Sequence, residues 1–207
     1  MKTWDAWFPD VLVYAPTAPD PLVRHAFRRA AQEFFERTRT WMEWLDPVAT
    51  RAGQSQVYDF DAPRGAQLVR PEMATVGGIE LPVSSYREIP RDWLNHPSAT
   101  RALVTKDLQE FALVGLFAAG EVVQVQVSLK PSDDATGLPD YVAAVRNMKP
   151  IAEGAKAILL MTPDTDFFRP DLAAVAQAMF EQGVNAAALE AYQGHTNHVP
   201  RARVKWC

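Results

Sequence analysis

The chain has 207 residues, 48% of them hydrophobic and 22% charged, a balance that excludes a disordered segment and is enough to bury a sizeable core. A formal net charge of -4 argues against a free-standing nucleic-acid binder, which shows a basic excess, although mild acidity suits a surface that DNA slides past without sticking. The one cysteine, Cys207, excludes an internal disulfide framework. The opening MKTWDAWFPDVLVYAP contains Asp5 and Asp10 and no long apolar core, so it does not read as a signal peptide, and no run approaches the ~20 apolar residues that span a bilayer. The expectation is a soluble protein made in a reducing compartment.

Residues 1–19 carry Trp4, Trp7, Phe8, Val11, Val13 and Tyr14 among prolines and aspartates. That apolar load makes them an arm whose anchors, Trp4, Trp7 and Phe8, either fold back on the core or bury in a neighbour. A helix is expected over 20–41, with Asp20 as N-cap and Pro21 in the first turn. Its apolar face is Val23, Phe27, Ala30, Phe34, Thr38 and Trp41; the other carries Arg24, Arg28, Arg29, Glu33, Glu36, Arg37 and Arg39. That charged face reads as solvated, or as facing an acidic partner. His25 reads as a surface residue.

From residue 42 to 130 the period changes to two. Strands are expected over 55–60, 66–70, 74–76, 79–83, 111–117 and 122–129, the last clearest because Val123, Val125 and Val127 alternate with Gln124, Gln126 and Ser128. Gly77-Gly78 signals a hairpin. Residues 86–105 read as irregular, anchored by Trp93, with Pro90 and Pro97 precluding a long helix.

Residues 130–194 then read as a helical hairpin. Pro139 and Pro170 sit where first turns should begin, and Val142, Val145, Met148, Ile151, Ala155, Ile158 and Leu159, then Leu172, Val175, Met179, Gly183, Ala186 and Leu189, recur at helical steps. Pro150 inside the first helix predicts a kink or break. The second helix is rich in alanine, which allows close helix approach or leaves a smooth face for another subunit. Residues 195–207, with Arg201, Arg203, Lys205 and Trp206 and no acid, read as a docking tail.

The expected fold is α+β: a three-helix bundle from residues 20–45 and 131–194, a small antiparallel β-sheet inserted over 46–130, and extended arms at 1–19 and 195–207. Candidate chemistry is sparse. His195 and His198 have a metal-like spacing, but a zinc site needs three or four ligands. Asp133, Asp134, Asp164 and Asp166 adjoin prolines at helix entrances, where Asp caps. No GxSxG, phosphate-cradling glycine loop, HExxH or CxxC occurs. The expectation is no enzyme, no cofactor and no metal; the runner-up is a small hydrolase or metal enzyme built on His195 and His198.

Several stretches taken together are familiar: LKPSDDATGLPDYV, the connector DTDFFRPDLAA, MFEQGVNAA, and PDPLVRHAFRRAAQEFFERTRTWMEWLDPVAT with its core Arg29-Ala30-Ala31-Gln32-Glu33-Phe34-Phe35-Glu36-Arg37-Thr38. Over roughly residues 5–195 the chain resembles the head–tail adaptor (connector, or head-completion) proteins of tailed bacteriophages. Pro150 departs from that pattern, where a polar helix former is usual. The resemblance implies a virion protein of the neck, assembled in the host cytoplasm into a ring, commonly of twelve copies, beneath the portal protein. Such a ring extends the channel for double-stranded DNA, without specific binding, and offers a platform for tail tube, nozzle or stopper proteins. It also implies that the tail, here Val199, Pro200, Arg201, Arg203, Val204, Lys205 and Trp206, reaches onto the portal. A ring needs two different patches per subunit; Arg24, Arg28 and Arg29 against Asp59, Asp61, Glu72 and Glu80 are the candidates. Another neck or tail-completion component is the alternative within the same class.

Overall fold

The computed structural model describes residues 1–52, 56–88 and 101–193. The chain divides into two compact units, one formed by Met1–Thr40 with the chain from Pro131 onward, the other by Trp41–Lys130.

In the first unit the N-terminal residues form a short strand, β1 (Lys2–Thr3), a 3-10 turn (Trp4–Trp7) and a short helix, α1 (Phe8–Leu12). Helix α2 follows over Asp20–Thr38. Its N-cap is Pro19, not Asp20, and it stops three residues before Trp41 because Arg39 turns into the left-handed region at φ 54°. Val23, Ala26, Phe27, Ala30, Ala31, Phe34 and Phe35 are buried along one face. After the second unit the chain returns through β11 (Gly137–Leu138), which pairs antiparallel with β1. Helices α3 (Val145–Leu160) and α4 (Pro170–Tyr192) complete the unit, and α2, α3 and α4 all pack on one another.

Two glycines set how closely the helices approach. A Cβ on Gly154 of α3 would lie 2.8 Å from the Phe180 ring of α4 and 3.0 Å from Ala30 Cβ of α2. A Cβ on Gly183 of α4 would lie 2.4 Å from Pro150 Cβ on α3. Helix α3 runs unbroken across Pro150, so the expected break does not occur. The ring instead fills the space that Gly183 leaves. Helix α3 starts at Val145, not after Pro139, whose carbonyl accepts from Val142 and Ala143 in a separate turn.

The second unit holds two sheets. One has five strands: β2 (Met42–Trp44), β10 (Val122–Pro131), β5 (Ala66–Val76) and β6 (Ile79–Leu81) lie in that order, and β3 (Val48–Ala49) pairs with the far end of β10. The other orders β4 (Gln56–Asp59), β9 (Glu110–Val114), β8 (Ala102–Thr105) and β7 (Val83–Ser85), with β7 parallel to β8. Val123, Val125, Val127 and Leu129 of β10 are buried, as alternation requires. Two expected strands, 66–70 and 74–76, are one. Pro71 lies inside it, beyond the stretch Ala74–Val76 that pairs with β6.

The expectation of a three-helix bundle with one small inserted sheet and extended arms is therefore overturned. Among the described residues there are four α-helices and three sheets built from eleven strands. The first unit contains a sheet of its own, and the N-terminal residues form no extended arm.

Candidate functional site

The N-terminal residues are held by contacts within the first unit. Trp4 is buried and its Nε1–H donates to the Ala135 carbonyl at 2.9 Å. Phe8 is buried and stacks on Phe27 of α2, with ring centroids 6.4 Å apart. Thr17 donates its hydroxyl to Asp166 at 2.6 Å, and the N-terminal ammonium pairs with Asp140. Of the expected anchors only Trp7 is half-buried rather than buried. It lines a groove of about 400 Å³ with Tyr14, Met148 and Lys156, where the Lys156 ammonium lies 4.2 Å from the centre of the Tyr14 ring and 2.7 Å from Glu153. That pairing neutralises Lys156, and the other charges on the groove, Asp10 and Lys149, lie exposed at its rim.

The four aspartates do not cap helices. The N-caps of α3 and α4 are Ala144 and Arg169, neither with a side-chain cap bond. Asp133 accepts from buried Gln32 of α2 at 2.9 Å, Asp134 from Ser132, and Asp166 from Thr17; Asp164 occupies the left-handed region at φ 60°. Asp133 ties its loop to α2, and Asp166 ties its loop to the segment before α2. Among the described residues no group of three or more His, Cys, Asp or Glu side chains could hold a metal ion. His195, His198, Cys207 and the tail residues Val199, Pro200, Arg201, Arg203, Val204, Lys205 and Trp206 lie outside the described residues, as do Pro90, Trp93 and Pro97.

The expected inter-subunit residues are divided by what they already touch. Arg24 forms two hydrogen bonds to Asp5, at 2.7 and 3.1 Å, which hold the Asp5 carboxyl below its ordinary range. Glu72 is bound twice by Arg70 on the same strand. Both are used within the subunit. Arg29, Asp59, Asp61 and Glu80 are exposed and Arg28 is half-exposed. The three arginines belong to the first unit and the four acids to the second. A further bridge, unforeseen as such, joins α2 to α4: Arg37 donates to Glu181 at 2.8 and 2.5 Å and to Glu33 at 2.9 Å. The guanidinium depresses the Glu181 pKa, and the two carboxylates raise that of Arg37.

The outer face of α4 is a surface that sequence periodicity alone does not place. Leu172, Val175, Met179 and Leu189, which recur at helical steps in the sequence, are 39%, 54%, 52% and 56% exposed. The buried face is instead Ala173, Ala176, Phe180 and Val184. With exposed Ala186 the outer residues make one row along about five turns of helix, apolar except for exposed Gln182. Contiguous exposed apolar surface of this kind marks a place where another surface binds. Between α3 and α4 it borders a groove of about 370 Å³.

The chain matches no known protein-family model and no curated protein. No helix of the described residues is long and apolar enough to cross a membrane.

Proposed function

We propose that this protein is a head–tail adaptor of a tailed bacteriophage: a virion structural protein that assembles as a ring beneath the portal, extends the DNA channel and carries the attachment platform for tail proteins. The sequence resemblance over residues 5–195 supplies the proposal. The observation that carries it furthest is the outer face of α4, a row of large apolar side chains left exposed on a helix whose opposite face is fully packed. A subunit whose work is assembly keeps such a surface for its neighbours. The mild net acidity suits a channel that DNA passes without sticking.

For the head-to-tail contact, Arg28 and Arg29 on one copy and Asp59, Asp61 and Glu80 on the next remain the candidates; Arg24 and Glu72 leave the set because Asp5 and Arg70 hold them. Imaging of purified virions tests the proposal, with a ring of this protein expected at the portal vertex. Density elsewhere in the particle, or no incorporation, refutes it. Deleting residues 199–207 should abolish binding to purified portal while far-ultraviolet circular dichroism stays helical. Unchanged binding would remove the tail from the portal contact.

A further inference from the structure

The outer row of α4 has an internal symmetry. Leu172, Val175, Met179, Gln182, Ala186 and Leu189 follow one another at alternating steps of three and four, the a/d seam of a heptad. Leu172, Met179 and Ala186 take a; Val175, Gln182 and Leu189 take d. Read backwards, the row falls on itself: Leu189 onto Leu172, Ala186 onto Val175, Gln182 onto Met179. Two such helices laid antiparallel put an a residue opposite a d residue in every layer. Here that sets leucine on leucine at both ends and a small residue on a mid-sized one between. At the centre an amide lies beside a pliable thioether.

The flanks agree with that direction. On one side the ends of the seam are Arg169 and Glu190, both exposed, and the antiparallel register brings each against the other copy's opposite charge. Glu190 already receives Arg146 at 2.9 Å, so the added arginine joins an existing pair. On the other side Asp171 meets the phenol of Tyr192, and Ala178 meets Asn185, with no like charges facing. A parallel pair would set Gln182 on Gln182 and hold Arg169 and Glu190 apart by about 30 Å of helix.

The groove between α3 and α4 lies at the centre of this symmetry. Its walls are Lys149, Pro150 and Glu153 on one side and Met179, Gly183 and Ala186 on the other. Gly183 lets Pro150 of α3 pack directly on α4, and Pro150 supplies the groove's apolar floor. We infer that two copies of this chain pair through α4, antiparallel about a two-fold axis at the level of Phe180 and Glu181, each Met179 entering the other copy's groove. The contact is isologous and closes on itself, whereas a ring is built head to tail. The pair uses the same α4 face that the adaptor proposal keeps for a neighbour, so it describes the free protein and has to open before that face joins a ring.

Sedimentation of the full chain should give twice the chain mass of 23.1 kDa. Met179→Glu combined with Leu189→Glu should return the single-chain mass, weakening association at least 100-fold, with circular dichroism unchanged because both side chains point outward. Orientation is read by oxidation in a Cys207→Ser background. Leu172→Cys mixed with Leu189→Cys should form a cross-linked pair, while each alone forms none, since the two positions are about 25 Å apart along the helix. A monomer at every concentration overturns the inference. So does cross-linking by either single variant, which would mean parallel pairing. A larger ring without the 172–189 cross-link also overturns it, and leaves the adaptor proposal standing.

Discussion

Helix α4 presents two apolar faces, and they differ in kind. The inner one, Ala173, Ala176, Phe180 and Val184, is at most 2% exposed and is built of small residues around a single aromatic ring. The outer one carries the larger aliphatic residues, Leu172, Val175, Met179 and Leu189, and leaves about half of each in solvent. A helix chosen only to complete a core would do the reverse, burying the side chains with most area to remove from water. The inner face is small because α2 and α3 come too close for anything larger, as Gly154 records. The outer face is large because nothing in the described chain covers it. Stability should therefore reside in the inner face and association in the outer one.

The largest expected effect comes from emptying the inner face. Phe180→Ala removes the ring that packs on Gly154, and a buried phenylalanine truncated to alanine costs about 3–5 kcal/mol. Thermal denaturation should show a large fall in Tm, or no folded protein. A loss under about 1 kcal/mol would mean that the three helices are not locked together there.

Filling the same seam comes next. Ala for Gly inside a helix ordinarily gains about 1 kcal/mol, but overpacking a tight core costs about 1–3 kcal/mol. At Gly183 the new Cβ would lie 2.4 Å from Pro150 Cβ, and neither atom can rotate away. Packing should win, so Gly183→Ala destabilises by about 1–2 kcal/mol net. At Gly154 the nearest atom is the Phe180 ring at 2.8 Å, which can tilt, so Gly154→Ala should cost less. Denaturant midpoints of the two variants test that order, and the reverse order would show the α3–α4 contact at Pro150 to be the softer one.

Periodicity made the helices legible in the sequence but not their orientation. In α4 the apolar residues repeat at helical steps on both faces, so spacing alone does not say which face packs inward. The alanines signal either close helix approach or a smooth face for another subunit, and only α2 and α3 packed against Ala173 and Ala176 decide for the first at those positions. In the β unit the alternation of β10 is plain, whereas β8 falls in a stretch expected to be irregular: Ala102, Leu103 and Val104 are all buried, and a strand covered on both faces does not alternate. The two-residue strands β1 and β11 had no sequence signature. Their pairing rests on Gly137, where any Cβ would meet the Lys2 carbonyl oxygen, a contact between residues more than a hundred positions apart. The left-handed turn at Arg39, which ends α2 before Trp41, likewise carries no glycine to announce it.

Between the two faces lies the Arg37–Glu181 bridge, which fastens the edge of α4 to α2. Both side chains are more than a third exposed, so solvent screening limits the pair to about 0.2–1 kcal/mol. Glu181 titrates below its ordinary value near 4.5 because Arg37 holds its charged form. A carboxyl depressed in the folded state contributes stability above that value and loses it as pH falls through the folded pKa. Glu181→Gln should therefore match the parent in stability once the pH has fallen below the depressed folded pKa, and fall behind it above the ordinary value near 4.5. Equal stability at both pH values would show that the bridge contributes nothing.

The smallest effect on stability, and the most informative one, belongs to the outer face. Met179→Gln keeps the length and helix propensity of the side chain and changes only its polarity, at a position already half in solvent. For the isolated subunit the change should stay within about 0.5 kcal/mol, the ordinary range of a surface substitution. If the row is an interface, stability becomes concentration-dependent in the parent, because association favours the folded form by mass action. The substitution would then erase that dependence while leaving the dilute-limit Tm in place. A parent Tm independent of concentration, lowered several degrees by Met179→Gln, would assign Met179 to the fold and undo the distinction between the two faces of α4.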